Sequence, residues 1–227
     1  MKMTRPQLIR SAAVALAVLV AAAAVWLQFG QTDSDPGGTT KAAWISGETE
    51  FGGPFTLVDQ TGKTVTEADF LGKFMLIYFG YTFCPDTCPV GLSNMTLAMD
   101  LLPDKGATVV PIFITIDPER DSVTVLAEYV GAFHPRLVGL TGTAKQIAAV
   151  AEVYRAFYTK LGGTADDDPD EYFMGHTNTA YLVGPDGKSL TTFSGASEPE
   201  TIAAGLKKFV SLPRFSEALA GDEKKAN

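Results

Sequence analysis

The residues best suited to chemistry in this 227-residue chain lie in one short stretch. Residues 77–91, IYFGYTFCPDTCPVG, hold the only two cysteines, Cys84 and Cys88, and a proline follows each of them. Two thiols separated by three residues can form a structural disulfide, act as a thiol–disulfide redox pair or bind a soft metal ion. The place of the pair in the fold therefore decides between these chemistries.

A purely structural disulfide is the weakest of the three interpretations. It would close a very short loop and so constrain the unfolded chain little, and a domain of this size has enough core without it. Residues 90–102, VGLSNMTLAMDLL, have helical spacing with Pro89 as an opener, which places Cys88 at the start of a helix. Unpaired N–H groups and the helix dipole favour a thiolate there, as redox catalysis and metal binding both require.

The elements that must position the cysteines alternate along the chain. Apolar runs predict buried strands, helical spacing predicts three further helices, and Gly-containing turns predict two hairpins. The strands cover 74–81, 107–117 and 137–142, the helices 121–132 (capped by Asp121 or Ser122), 143–158 and 199–210, and the hairpins 55–66 and 178–195. This order predicts an α/β, thioredoxin-like fold with an added N-terminal β-hairpin. The cysteine loop follows the first buried strand, at the sheet edge where ligands bind in such folds.

The segment 174–184, MGHTNTAYLVG, helps to separate redox chemistry from metal binding. Thiol–disulfide enzymes of this fold typically carry CxxC and a cis-proline before a later strand, but there is no proline between Pro169 and Pro185. The residue that precedes the strand is instead His176. Two thiolates and one imidazole form a three-coordinate set that suits Cu(I).

Only one of the two histidines is expected to face the cysteines. His134 lies between a predicted helix and a predicted strand, directly before Pro135, and is interpreted as structural. The predicted strand order brings the loop of His176 to the cysteine end of the sheet. From the residues alone, a ligand role and an ordinary structural role for His176 remain equally open.

Residues 117–121, DPERD, follow the second buried strand. Glu119 and Asp121 are interpreted as a strand end and a helix cap, with Arg120 paired to a neighbouring acid. Asp117 is left open between such a role and a hydrogen-bonding role beside the cysteine site.

Residues 162–176, GGTADDDPDEYFMGH, form an acidic insertion directly before His176. An acidic run of this kind predicts a solvated loop. Its attachment to His176 favours a mobile flap with hinges at Gly162, Gly163 and Gly175. Met174 could offer a soft thioether or simply pack.

The N-terminal region predicts a membrane anchor. Residues 11–29 carry no charge, residues 1–10 contain Lys2, Arg5 and Arg10, and 30–50 read as a linker. We expect an uncleaved transmembrane helix with a cytoplasmic N-terminus, in preference to a cleaved signal peptide. The globular domain is then 51–212, followed by a charged, flexible tail over 213–227. A net charge of −8 argues against nucleic-acid binding.

Four motifs, in this order, resemble the Sco/SenC family over residues 52–210: FGYTFCPDTCP, FITIDPERDS, HPRLVGLTG and GHTNTAYLVGPDG. The resemblance implies that Cys84, Cys88 and His176 bind copper, as Cu(I) or Cu(II). It implies a metallochaperone that delivers copper to the binuclear centre of cytochrome c oxidase subunit II. For this chain it implies a bacterial inner-membrane protein with its domain in the periplasm. Phe83, where relatives often have histidine, offers no extra imidazole, and Ser122 in place of threonine changes little.

An enzymatic alternative stays open beside copper delivery. The same two sulfurs could serve a thiol–disulfide reductase that keeps the oxidase cysteines reduced, with other copper carriers or thiol reductants as further partners. A peroxiredoxin-like peroxidase is weaker, because its Thr-x-x-Cys pattern is only partly present in residues 81–84, Tyr-Thr-Phe-Cys.

Overall fold

The computed structural model describes residues 51–102, 108–162, 172–213 and 215, all within one structural unit of the chain, Ala42–Asn227. A short 3-10 helix, Glu67–Phe70, follows the first two strands. The strands are β1 (Thr56–Asp59), β2 (Thr64–Thr66), β3 (Phe74–Gly80), β4 (Val109–Thr115), β5 (Val138–Thr141), β6 (Tyr158–Gly162), β7 (Tyr172–His176), β8 (Thr179–Val183) and β9 (Ser189–Ser194). The α-helices are α1 (Thr87–Asp100), α2 (Val123–Gly131), α3 (Ala144–Tyr154) and α4 (Pro199–Val210).

Seven strands form one sheet in the order β2-β1-β5-β4-β3-β8-β9, with β3 parallel to β4 and β4 parallel to β5. All seven residues of β3 are buried, because this central strand is covered on both faces. That is why its sequence is an unbroken apolar run. The predicted α/β class is therefore confirmed.

Both predicted hairpins are present. Strands β1 and β2 pair antiparallel, as do β8 and β9. Gly62 and Gly187 have φ angles of +86° and +76° in the connecting turns, a region that glycine enters without strain.

The structure corrects the bounds of two elements next to the cysteines. The helix predicted over 90–102 begins earlier, at Thr87, and ends at Asp100. Pro89 lies inside its first turn, where a missing N–H breaks no intrahelical hydrogen bond. The strand predicted over 107–117 is shorter, Val109–Thr115.

The helix predicted over 143–158 is wrong at its C-terminal end. Thr143 caps α3 through a capping box with Gln146, but the helix stops at Tyr154. Arg155 then takes the left-handed conformation, with φ 54°, and the chain enters β6 instead. A non-glycine residue at this position gave no sequence signal for a helix end.

The region predicted as a solvated loop over 162–176 is partly a strand. β6 and β7 form a separate two-stranded antiparallel sheet, called the arm below, in which Tyr158 pairs with His176 and Gly162 pairs with Tyr172. Two of the predicted hinges, Gly162 and Gly175, are therefore paired strand residues of the arm. The predicted hinge Gly163 and the acidic residues up to 171 lie outside the described residues.

The predicted anchor, 11–29, and linker, 30–50, also lie outside the described residues, as does most of the predicted tail, 213–227. Among the helices that the structure does describe, none combines the length and apolar character that a membrane crossing requires.

The sheet topology brings three chain segments to one edge. β3 and β4 run parallel, so the cysteine loop and the DPERD segment both follow strands that end at this edge. β8 runs antiparallel to β3, with Ala180 opposite Tyr78, so the residues just before β8 reach the same edge. His176 is among them.

Candidate metal centre

Cys84, Cys88 and His176 converge in the structure. One ligand atom from each, two sulfurs and one ring nitrogen, all lie within 4.8 Å of one another. Cys88 Sγ is 3.1 Å from His176 Nε2. Both cysteines are free thiols. Within the described part of the chain, no other group of three such side chains comes together in this way.

Cys84 lies in the turn between β3 and α1, where its backbone N–H donates to the Tyr81 carbonyl. Its sulfur accepts a hydrogen bond from the backbone N–H of Cys88, at 3.4 Å, and lies 3.6 Å from Thr87 Oγ1. Burial by itself would raise the pKa of Cys84. Hydrogen bonds from the backbone of Asp86 and Cys88 and from the Thr87 hydroxyl outweigh it, so this pKa falls below its usual value.

Cys88 is in a different environment, although it is only one helical turn away. Its side chain is fully buried, whereas Cys84 keeps 8% of its surface exposed. A Cβ on Gly80 would lie 2.8 Å from Cys88 Sγ, so glycine is required for β3 to approach the sulfur. Burial raises the pKa of Cys88. The pair therefore has one thiol with a lowered pKa and slight exposure and one fully enclosed thiol.

This asymmetry predicts the order of chemical modification. In the reduced, metal-free protein, iodoacetamide should alkylate Cys84 well before Cys88, because a thiolate is the nucleophile and Cys84 has both the lower pKa and the greater access. Peptide mapping of samples quenched at successive times would measure both rates. The same experiment in urea is the control, and the two rates should become similar there. Equal rates in the folded protein would contradict the assigned asymmetry.

His176 is the last residue of β7 and presents its Nε2 atom to the sulfurs. Nδ1 lies 3.1 Å from the Thr177 carbonyl, which can only accept a hydrogen bond. Nδ1 therefore carries the proton, and the lone pair of Nε2 is directed to Cys88. Burial lowers the pKa of His176, which favours the neutral, metal-binding form. The rings of Tyr78 and Tyr81 pack edge-on around the imidazole, at centroid distances of 6.3 and 6.1 Å.

Asp121 is not the helix cap that the sequence suggested. Ser122 caps α2, accepting a hydrogen bond from Val125 N–H, whereas Asp121 is fully buried. Its carboxylate accepts from the backbone N–H of Thr82 at 3.0 Å, from the Thr82 hydroxyl at 2.6 Å and from the Thr115 hydroxyl at 2.5 Å. Asp121 therefore fastens the segment just before Cys84 to the end of β4. Its position after a buried strand was the only sequence signal for this role.

Replacing Asp121 by alanine should lower the free energy of unfolding by about 3 kcal/mol, because it leaves three donors without their acceptor: the buried Thr115 hydroxyl and the part-buried hydroxyl and N–H of Thr82. Urea unfolding of the two proteins measures the difference. Glu119→Ala is the matched control in the same loop, since Glu119 is 71% exposed and forms only a surface pair with Lys160. Equal losses in the two variants would contradict the fastening role of Asp121.

Other residues singled out in the sequence have contacts that bear on their predicted roles. His134 pairs with Asp100 at 3.4 Å and accepts a hydrogen bond from the Arg136 N–H, so its structural interpretation is confirmed. Arg120 pairs with Asp117 at 2.6 Å, as predicted for a neighbouring acid. Met174 is partly buried and packs against the core.

The comparisons with known proteins give one consistent family. The SCO1/SenC family model matches residues 45–211. A "SCO2-like protein" of Rickettsia felis is 41% identical over 158 residues, covering 70% of this chain and 76% of that protein. Human "Protein SCO1 homolog, mitochondrial" is 44% identical over 166 residues, covering 70% of this chain and 53% of that protein. The chain thus spans about half the length of the human relative.

Solved structures give the same result. Arabidopsis thaliana ScoI with copper bound superposes with a TM-score of 0.66 at 37% identity, covering 71% of this chain and 99% of that one. BsSco, described as a member of the Sco family of cytochrome c oxidase assembly proteins with a disulfide switch, gives a TM-score of 0.57 at 26% identity, covering 72% and 96% of the two chains. The predicted α/β fold therefore matches the thioredoxin-like Sco structures. By sequence and by structure, the chain belongs to the SCO1/SenC family.

Proposed function

We propose that this protein binds copper through Cys84, Cys88 and His176 and delivers it to the binuclear copper centre of cytochrome c oxidase subunit II. The observation that carries the proposal is the convergence of two sulfurs and one imidazole nitrogen within 4.8 Å. A solved relative binds copper, and another is described as an oxidase assembly protein, which supports the assignment.

The donor set fits copper in both oxidation states. Thiolates are soft ligands that select Cu(I), and imidazole is a good ligand for Cu(II). The Nε2 lone pair of His176 already faces Cys88. Because the copper is cargo, it must also be able to leave. Cys84 is the less deeply buried of the two cysteines, so we expect an acceptor ligand to approach from that side and exchange with Cys84 first.

A thiol–disulfide reductase is the second candidate, and the asymmetry of the two cysteines favours it. The Cys84 thiolate would attack an acceptor disulfide, and Cys88 would then displace the acceptor thiol. The acceptor would gain two electrons and two protons, and the pair would become a Cys84–Cys88 disulfide. This reaction has no obligate use for His176, whereas copper carriage does.

Transfer to a pre-reduced acceptor separates the two functions. The copper-loaded protein is mixed anaerobically with the apo copper domain of oxidase subunit II, whose cysteines have already been reduced. We expect copper in the acceptor after the two proteins are separated, because delivery requires no electron transfer. If the reduced acceptor stays free of copper while an oxidised acceptor becomes reduced, the reductase function replaces copper delivery.

We further propose that residues 11–29 anchor the chain in the bacterial inner membrane, with the copper site in the periplasm. The support is the uncharged length of the segment and the cations Lys2, Arg5 and Arg10 before it. Cell fractionation and sequencing of the mature N-terminus test this. A soluble product that begins near Val25 would show a cleaved signal peptide instead.

A further inference from the structure

The strand that carries His176 does not belong to the main sheet. β6 and β7 pair only with each other, and an isolated two-stranded hairpin is marginally stable in water. The position of the arm, and of the His176 ring at its end, therefore depends on contacts with the rest of the domain. One cluster of side chains supplies such contacts at the opposite end of β7.

This cluster, the arginine junction, consists of Asp117, Arg120 and Tyr172. Arg120 Nε donates to Asp117 Oδ2 at 2.6 Å, and Arg120 Nη1 donates to the Tyr172 carbonyl at 3.0 Å. The Tyr172 hydroxyl donates to Asp117 Oδ1 at 2.7 Å, and the guanidinium carbon lies 3.5 Å from the centroid of the Tyr172 ring. The carboxylate of Asp117 and the ring of Tyr172 are buried, so these charge-assisted hydrogen bonds are shielded from water.

The same guanidinium also contacts the cysteine loop. It lies 4.8 Å from the ring centroid of Phe83 and 5.8 Å from that of Tyr81. Tyr81 packs edge-on against the imidazole of His176. Arg120 therefore joins three segments: the loop after β4, the loop that carries Cys84, and the strand that carries His176.

Strand geometry connects the arginine junction to the imidazole. Side chains at i, i+2 and i+4 share one face of a strand, so Tyr172, Met174 and His176 lie on the same face of β7. Tyr172 is buried and Met174 partly buried, whereas Phe173, on the opposite face, is 60% exposed. Tyr172 lies about 13 Å along the strand from His176. Holding Tyr172 in place therefore determines which face of the arm turns inward.

We propose that Arg120, with Asp117, is a positioning residue for His176: the arginine junction holds the arm so that Nε2 faces the two sulfurs. This inference rests on the proposed copper-binding function. Its consequence is that loss of the junction affects what His176 contributes. The cysteine loop is also held by Asp121 through Thr82, so the cysteines' own contribution should stay unchanged. The affinity for Cu(II), which depends on the imidazole, should therefore fall more than the affinity for Cu(I) when the junction is lost.

The test uses the full-length protein purified in detergent, with Cu(II) and Cu(I) affinities measured against competing chelators. Arg120→Ala should weaken Cu(II) binding by about 10-fold, in the range found for residues that orient metal ligands. Tyr172→Phe, which removes only the hydroxyl bond to Asp117, should weaken it in the same direction by less. Lys207→Ala, an exposed cation on α4, is the charge-matched control and should bind like the parent protein.

Two further measurements exclude a merely structural effect. In a His176→Ala background, Arg120→Ala should leave Cu(I) affinity unchanged, because the residue through which it acts is already absent. In the metal-free protein, Arg120→Ala should speed amide hydrogen exchange in β7 while leaving β3 protected.

The proposal is overturned if Arg120→Ala binds Cu(II) as the parent does, or if it further weakens Cu(I) binding when His176 is alanine. If Arg120→Ala does not fold, Tyr172→Phe replaces it in both comparisons, Cu(II) affinity in the parent background and Cu(I) affinity in the His176→Ala background, with the same expected directions. If the parent protein binds no copper, the proposed function fails. The inference about the arm is tested separately: it is overturned if amide exchange in β7 of the metal-free protein is the same in Arg120→Ala as in the parent.

Discussion

Replacing His176 by alanine is expected to abolish the Cu(II)-bound state, weaken Cu(I) binding less, and disable oxidase assembly. Two thiolates alone serve Cu(II) poorly, and His176 supplies the only imidazole that faces the sulfurs within the described residues. The thiolate-to-Cu(II) absorption band measures the first effect. Oxidase activity in cells that lack the native protein measures the last.

The second histidine provides a matched control. His134→Ala removes an imidazole that pairs with Asp100 and should leave the Cu(II) band intact. The reduction potential of the Cys84–Cys88 pair should shift only modestly in His176→Ala, since thiol exchange needs only the two sulfurs. Normal oxidase activity without the Cu(II) band would mean that Cu(II) binding is dispensable. The reductase function, or delivery through Cu(I) alone, would then replace delivery that depends on Cu(II).

Replacing either cysteine by serine should reduce Cu(I) affinity by more than about 100-fold. Loss of a residue that only supports the metal ligands typically costs roughly 10–100-fold, and loss of a ligand itself should cost more. A hydroxyl is a hard, protonated group that cannot substitute for a thiolate towards Cu(I). Competition with a Cu(I) chelator measures the loss. Copper binding that survives in the Cys84→Ser/Cys88→Ser protein with the stoichiometry of the parent would remove the cysteines from the site.

The two cysteine variants should differ in stability, which separates loss of copper from loss of fold. Cys88 is fully buried, so a serine hydroxyl there is removed from water and should lower the free energy of unfolding by about 2 kcal/mol. Cys84 keeps 8% of its surface exposed, so Cys84→Ser should lose less stability than Cys88→Ser. Loss of copper binding in Cys84→Ser is therefore easier to interpret than in Cys88→Ser, because it is less affected by loss of the fold.

The sequence predicted the parts of the site that depend on local pattern. β3 is an unbroken apolar run, both hairpins have glycine in their turns, and Cys88 falls in the first turn of a helix, so each followed from residue types and spacing alone. His176 could be placed near the cysteines because its strand was expected to reach the same sheet edge. Residue types and spacing did not decide between a ligand role and an ordinary structural role for His176, and the family resemblance was needed to choose the ligand role.

The parts that could not be predicted depend on contacts between distant segments. Asp121 has the pattern of a helix cap, and only the tertiary structure shows Thr82, 39 residues earlier, donating to its carboxylate. The arm was missed because Arg155 ends α3 without a glycine and because β7 follows an acidic run typical of a loop. Arg120 was correctly paired with an acid, but its contact with Tyr172 joins residues 52 positions apart.

Copper binding at Cys84, Cys88 and His176 is tested by an anaerobic Cu(I) titration of the reduced protein against a competing chelator, followed by metal analysis of the separated protein. We expect one copper per chain, retained in competition, because the described structure contains one group of two sulfurs and one imidazole nitrogen within 4.8 Å. A protein that retains no copper under these conditions, or whose retained copper is unchanged when both cysteines are replaced by serine, would contradict this expectation.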